Sequence, residues 1–309
     1  MTVILNIVKV TLEQGLMYAI LAMGVYITYS ILDFPDLSVD GTMPLGAIVT
    51  AILILHGVNP WLCLLLSFMA GMLAGSITGL LHVKLRIIPL LCGILMNTAL
   101  LSINLALLLH FNGGSSVASF FRSPTIFNTF IGAWIPADLG GFNLRIVIVA
   151  LLVCILCKLI LDAYLKTKSG LLLRATGNNG GFVIQMARDP GNSRILGLSL
   201  GNGFAALAGS VIAQNRGSAD QPMGVGMVIL GLASVMIGLS LFKKVRFMKA
   251  TTKVALGAVL YQACLTVALA IGLPTTYLKL LMAALFILVL VVFSDELMHY
   301  YRRLVDVDD

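Results

Sequence analysis

Four histidines, 13 acidic residues and five cysteines are the groups in this 309-residue chain that could carry proton transfer, metal binding or redox chemistry. Such chemistry needs partners within reach: a nucleophile with its base, a metal cluster, or two facing carboxylates. His56, His82, His110 and His299 each fall at the end of an apolar run, where an amphipathic ring is ordinarily accommodated, and none has a second ligand at helical spacing. Most of the acids sit near the ends of apolar runs or in the terminal VDVDD. Cys63, Cys92, Cys154, Cys157 and Cys264 lie inside apolar runs without a partnering histidine, so the Cys154/Cys157 pair reads as packing rather than a redox motif. The clusters at Gly113–Ser116 and Gly177–Gly181 resemble phosphate loops only superficially, because neither contains G-x-x-x-x-G-K-[ST]. An enzyme is not expected, nor is a metal or cofactor of the chain's own.

Polar residues inside apolar runs are the better clue, since burying them costs free energy unless they are partnered or face a wet cavity. Asn97 and Asn104 are seven residues apart and share a helical face. Ser199 and Asn202 belong to a second, small-residue stripe with Ala206 and Gly209 that ends near Gln214. Between the first two apolar runs stands LDFPDLSVDGTMPLG, in which Asp36 and Ser38 precede Pro44. Pro44 removes a helical hydrogen bond, so the second span is expected to start irregularly or to be broken. Two readings stand for these positions. They are helix caps and interhelical hydrogen bonds, or they are walls of a solute pathway built on a discontinuous helix.

The elements that would position them are membrane spans. With 59% hydrophobic and 11% charged residues and a mean hydropathy of +1.02, the composition is that of an integral membrane protein rather than a soluble domain. Apolar windows at 10–32, 37–55, 61–83, 88–111, 144–165, 195–215, 223–241, 254–271 and 277–293 predict an all-α membrane protein of about nine transmembrane helices in one domain, 1–309. Fifteen of the 20 Lys and Arg residues collect at alternate span ends, in clusters such as Lys166–Arg174 and Lys243–Lys253. That asymmetry accounts for the net charge of +7 through topology rather than nucleic acid, and puts the basic end in the cytoplasm with the N-terminus outside. No cleavable leader is expected. Gly71, Gly75 and Gly79 form a small-residue stripe suited to close helix packing. The 112–142 segment, with Phe120, Phe121, Phe127, Phe130 and Trp134, is expected to lie outside at the headgroup level or to dock a partner. The 166–194 segment is expected to be a cytoplasmic loop.

Three stretches in order, DLSVDGTMPLGAIVTA, GSITGLLHVKLRIIPLL and RATGNNGGFVIQMARDPGNSRILGLSLGNGFAALAG, resemble the permease subunits of bacterial ABC importers of the branched-chain amino acid and ribose type. The likeness covers nearly the whole chain. It implies a pathway subunit that pairs with a second permease copy, a soluble cytoplasmic ATPase that binds ATP and Mg²⁺, and an extracellular binding protein. It also implies a coupling helix that fits a groove in the ATPase, which maps onto Asn179–Asp189 after the opening residues Arg174 and Gly177. Val183, Ile184 and Met186 would pack in the groove while Arg188 and Asp189 pair at its rim. The family often has Gly-Ile where this chain has Ala187-Arg188, and ribose-type members tend to carry a further N-terminal helix. The wording LDFPDLSVDGTMPLGA and ADQPMGVGMVILGLASVMIG resembles a branch that works with a lipoprotein binding component, some of whose members are assigned to tryptophan or tyrosine uptake. An amino acid, aromatic on that analogy, is the implied solute; a sugar or nucleoside is the alternative. The competing class is an autonomous channel or ion-coupled carrier, which should show broken helices or acidic pairs in both halves.

Overall fold

The computed structural model describes residues 2–129, 132, 144–185, 189–245 and 247–292. Over these residues the fold is helical, apart from a two-stranded ribbon, and is that of a multi-pass membrane protein. Helix α1 (Thr2–Val25) passes into a π-helical turn (Tyr26–Ile31). There Leu32 N–H donates to the Ile27 carbonyl at 3.1 Å, and Asp33 takes the left-handed backbone at φ 52°. The residue before Pro35 is biased away from the helical region, so the chain stays irregular through 32–38.

Helix α2 (Val39–Leu55) then runs without interruption through Pro44. The irregularity expected at Pro44 therefore lies before the helix. Pro44 leaves the Asp40 carbonyl without its helical donor. Gly224 packs against that carbonyl and the proline ring so closely that a Cβ there would overlap both. Next come α3 (Pro60–Leu85), α4 (Pro89–Phe111), β1 (Val117–Ser119) and α5 (Leu144–Tyr164). Asn59 caps α3 by accepting from Trp61 N–H at 3.0 Å, with Pro60 in the first turn, where its missing donor costs nothing.

Two short helices, α6 (Lys168–Asn178) and α7 (Gly180–Gln185), lead into the 27-residue α8 (Pro190–Arg216). Strand β2 (Ser218–Asp220) turns back to pair antiparallel with β1, and a 3₁₀ turn (Gln221–Gly224) leads to α9 (Met227–Leu241). Helices α10 (Ala250–Ala270) and α11 (Leu278–Val292) complete the described fold.

Each of the nine apolar windows contains a helix, and among the described residues seven segments are long and apolar enough to cross a bilayer by themselves. Helix α2, with 17 residues, falls short of the roughly 20 that a span needs, and α11 is described over 15 residues. The core is organised around α8, packed on α3, α2 and α1, while α4 and α5 turn leucines and isoleucines outward as a lipid-facing surface requires. The glycine stripe of α3 lets that helix approach α8 closely. A Cβ on Gly71 would sit 2.5 Å from Ala206 Cβ, one on Gly75 would overlap the Leu198 carbonyl, and one on Gly79 would sit 2.7 Å from Ile195 Cα. Ser67 and Ser199 bridge the same seam, donating to Ala206 O at 2.8 Å and Met72 O at 2.9 Å. The described cysteines are unpaired, with Cys154 and Cys157 buried in packing.

Candidate functional site

The irregular stretch 32–38 ends in a buried polar knot halfway along α8. Asp36 Oδ1 accepts from the Ser38 backbone N–H at 2.9 Å and from Ser38 Oγ at 2.6 Å, while Asp36 Oδ2 accepts from Asn202 Nδ2 at 2.7 Å. The other proton of Asn202 Nδ2 goes to its own helix at Leu198 O, 3.1 Å away. Thr42 Oγ1 lies 2.7 Å from Asn202 Oδ1 and 2.9 Å from Ser38 O, and its single proton serves one of them at a time. Asp36 is 5% exposed, and Ser38, Thr42 and Asn202 are wholly buried. Among the described residues each donor to the Asp36 carboxyl group is neutral, so its oxygens are held by hydrogen bonds rather than by an ion pair. The backbone before α2 is thereby tied to a helix 160 residues later in the chain.

Of the expected pathway residues, Asp36, Ser38 and Asn202 come together. Ser199 turns to α3 through its bond to Met72 O. Asn97 and Asn104 stand on the α4 face that meets Gly41 of α2. Asn104 Nδ2 donates to Gly41 O at 2.9 Å, and a Cβ on Gly41 would lie 2.8 Å from Asn97 Oδ1. Both amide oxygens are buried without a hydrogen-bond partner, a costly arrangement in a dry seam.

Asp40, one helical turn after Asp36, has a separate task. Its carboxylate accepts from Val228 N–H at 2.8 Å and Gly226 N–H at 3.2 Å, which places a negative charge on the N-terminus of α9 inside the bundle. Sequence reasoning missed Asp40 and Thr42 as partners. The signal was present in DLSVDGT, where Asp36/Asp40 and Ser38/Thr42 are both four apart.

At the basic end of the bundle, the expected loop is largely helical. Thr167 caps α6 by accepting from Gly170 N–H at 3.2 Å. Arg174 is exposed on this helix, and Gly177 backs directly onto the Ile31 carbonyl, where the π-turn gives way to the irregular stretch. Asn179 terminates α6, its N–H bonding Ala175 O at 2.9 Å. Val183, expected on a partner-facing surface, is fully buried against the chain, whereas Ile184 is 63% exposed. Asp189, expected at a rim, caps α8 by accepting from Gly191 N–H at 2.8 Å. Met186 and Arg188 lie outside the described residues, as do Phe130 and Trp134 of the aromatic segment. Nearby, His82 Nδ1 is 2.8 Å from Ile87 O and Nε2 is 3.2 Å from Arg194, so the ring donates through Nδ1 and accepts through Nε2.

At the opposite end, Gln214 accepts from Ile126 N–H at 2.9 Å and donates to Pro60 O at 3.3 Å. It fixes the described part of the aromatic segment against α8 and α3. Phe120 and Phe127 are buried there.

With this geometry in view, residues 7–290 match the family described as the branched-chain amino acid transport system / permease component. The chain is 38% identical to the tyrosine transport system permease protein of Clostridioides difficile over 276 residues, covering 89% of this chain and 88% of that one. It is 33% identical to an uncharacterized protein of Rickettsia prowazekii, covering 90% and 94%. It is 31% identical to a probable branched-chain amino acid transport permease of Methanocaldococcus jannaschii, covering 66% of each. No solved structure matches.

Proposed function

Because the chain belongs to the permease component family of branched-chain amino acid transport systems, we propose that it forms the membrane pathway of an ABC importer for an amino acid and takes its driving motion from a separate ATPase docked at α6 and α7. It is a transport permease and not an enzyme. The basic end faces the cytoplasm of a bacterial cell membrane, by the excess of Lys and Arg there. The N-terminus and the aromatic segment then lie outside, where a binding protein, a lipoprotein in systems of this kind, delivers solute. A second permease copy completes the pathway.

The observation that carries this reading is the contact of Gly177 with the Ile31 carbonyl. It joins the segment assigned to the ATPase to the stretch that ends in the Asp36–Asn202 knot, so a shift of α6 reaches the middle of the bundle through the irregular backbone of 32–36. In the importer, the knot opens and re-forms as the pathway alternates. Asn97, Asn104 and Ser199 line the seams that move with it, and the unbonded amide oxygens of α4 meet water or solute in the open state. Arg174, Ile184 and the residues following α7 make the ATPase contact, while Asp189 holds the start of α8 in register. A tyrosine-like solute is the substrate suggested by the tyrosine transport relative.

The test is reconstitution with the partner ATPase and binding protein, followed by replacement of the exposed Ile184 by Glu, which leaves the buried Val183 in place. ATP-driven uptake should be abolished while the chain remains folded and monodisperse. Uptake by the chain alone without ATP, as expected of a channel or ion-coupled carrier, or unchanged uptake after the replacement, would sink the reading.

A further inference from the structure

His82 stands where three segments meet near the basic end of the bundle. Its Nδ1 donates to the Ile87 carbonyl, 2.8 Å away, in the connection between α3 and α4. Its Nε2 accepts from Arg194 Nη1 of α8 at 3.2 Å. Its ring meets that of the buried Phe34 edge to face, with centroids 5.2 Å apart and planes at 76°. Phe34 lies two residues before Asp36, in the irregular stretch that ends in the knot. Arg194 also faces the start of α7, because a Cβ on Gly180 would lie 3.8 Å from its Nη2. Around the pair α3 and α8 are closely packed, since a Cβ on Gly191 would sit 2.6 Å from Val83 Cγ1. Arg194 and His82 thus stand between α7 on one side and Phe34 and Ile87 on the other, apart from the contact of Gly177 with Ile31.

This arrangement holds in one protonation state of the ring. A neutral imidazole has one N–H and one lone pair, and here Ile87 takes the first and Arg194 the second. An imidazolium has two N–H groups and no acceptor, while a guanidinium has donors only, so a second proton on His82 sets two cations face to face. The surrounding segments offer no described anion to replace the bond. Lys84 and Arg86 at the end of α3 add positive charge. Asp33 is exposed, Asp36 is committed to Ser38 and Asn202, and Asp189 caps α8 through Gly191 N–H. From α4 comes the Cys92 thiol, which shares the Ile87 carbonyl at 3.5 Å, and α7 has no titratable side chain.

We propose that Arg194 and His82 form a proton-sensitive coupling link, in which the neutral ring passes a displacement of α7 to Phe34 and Ile87 and a second proton on the ring releases it. Both are positioning residues, acting through the segments they join rather than on the solute. The inference rests on the permease reading, because it takes α7 as the face on which the ATPase acts. Its consequence is that import slows when the cytoplasm acidifies, through the permease itself.

The experiment uses the full chain with its ATPase and binding protein in proteoliposomes, with pH set on the ATPase side. It measures uptake of a radiolabelled mixture of the common L-amino acids per ATP hydrolysed. From about pH 8 to about pH 6, where an imidazole changes charge, the wild-type ratio should fall at least threefold. Arg194→Leu and His82→Leu should lower the ratio at least tenfold at the higher pH, while the chain stays monodisperse and the complex still hydrolyses ATP. His82→Gln keeps an acceptor for Arg194 but does not titrate, so it should restore most of the ratio and flatten its pH dependence. Arg194→Gln, whose amide donates to a neutral ring and accepts from a charged one, should flatten it too. A pH-independent wild-type ratio, equal acid sensitivity in His82→Gln and wild type, or wild-type coupling in Arg194→Leu would overturn the proposal. Each of these outcomes keeps the permease, because wild-type uptake persists, whereas no uptake by the wild type with all partners present discards the permease reading and this link with it.

Discussion

Asp36 and Asn202, 166 positions apart in the chain, meet through a 2.7 Å hydrogen bond at the middle of the helix bundle. The bond lets a carboxylate sit deep among apolar helices, and it fastens the irregular start of one helix to the centre of another. Asn202→Leu removes the donor that Asp36 Oδ2 has among the described residues and should destabilise the folded chain by about 1–3 kcal/mol, the range for leaving a buried polar group unsatisfied. Asp36→Asn together with Asn202→Asp, which exchanges acceptor and donor, should recover part of that loss. Thermal unfolding of the purified chain in nanodiscs measures both, and strictly additive single and double variants would mean that the two side chains do not act as a pair.

Asp40 is expected to behave differently from Asp36 although it is only one turn away. Its carboxylate serves the α9 N-terminus, so Asp40→Ala should cost about 1–2 kcal/mol, as loss of a cap does, and Asp40→Asn distinctly less. Hydrogen exchange of the first turn of α9 should rise in the alanine variant while exchange in α8 stays unchanged. Equal exchange in wild type and variant would remove the capping role.

The α3 and α8 backbones approach through Gly75, where a Cβ would overlap the Leu198 carbonyl. Gly75→Leu must drive the helices apart, with an expected cost above about 3 kcal/mol from overpacking and lost contacts. Size-exclusion chromatography should show loss of monodisperse protein, whereas Leu73→Ala, on the exposed side of the same helix, should leave the profile intact.

Two neighbouring residues of α7 separate folding from coupling. Val183 is buried and Ile184 is exposed, so Val183→Glu should abolish the folded chain by burying an unpaired charge. Ile184→Glu should leave stability within about 0.5 kcal/mol, as surface changes usually do, but lower transport-coupled ATP hydrolysis at least tenfold. Wild-type coupling in Ile184→Glu would move the ATPase contact elsewhere.

Much of the architecture was legible before any coordinates. Nine apolar windows, the basic span ends and the Gly71/Gly75/Gly79 stripe follow from composition and spacing, and each has its counterpart in the bundle. The second span shows the limit. Hydropathy marks 37–55 as apolar, but where the helix begins depends on the π-turn before it and on the Gly224 backbone that covers the proline notch, neither of which is local to that window. The α6 helix was missed for a related reason: Leu171–Leu173 was overshadowed by the polar, glycine-rich residues that follow, so the segment read as loop.

The sequence alone determined that the chain crosses a membrane, which end is basic, and which residues are small enough for helices to touch, because these depend on local composition and the helical period. It also marked Asp36, Ser38, Asn97, Asn104, Ser199 and Asn202 as polar residues in need of partners. Only the tertiary structure decided those partners. Asp36 finds Asn202, Asn104 finds the Gly41 carbonyl, and Asp40 finds the start of α9, because the depth and register at which α2, α4, α8 and α9 pack are set by backbone contacts between segments far apart in the chain. Val183 and Ile184, one position apart and alike in chemistry, were divided into core and surface by the same packing.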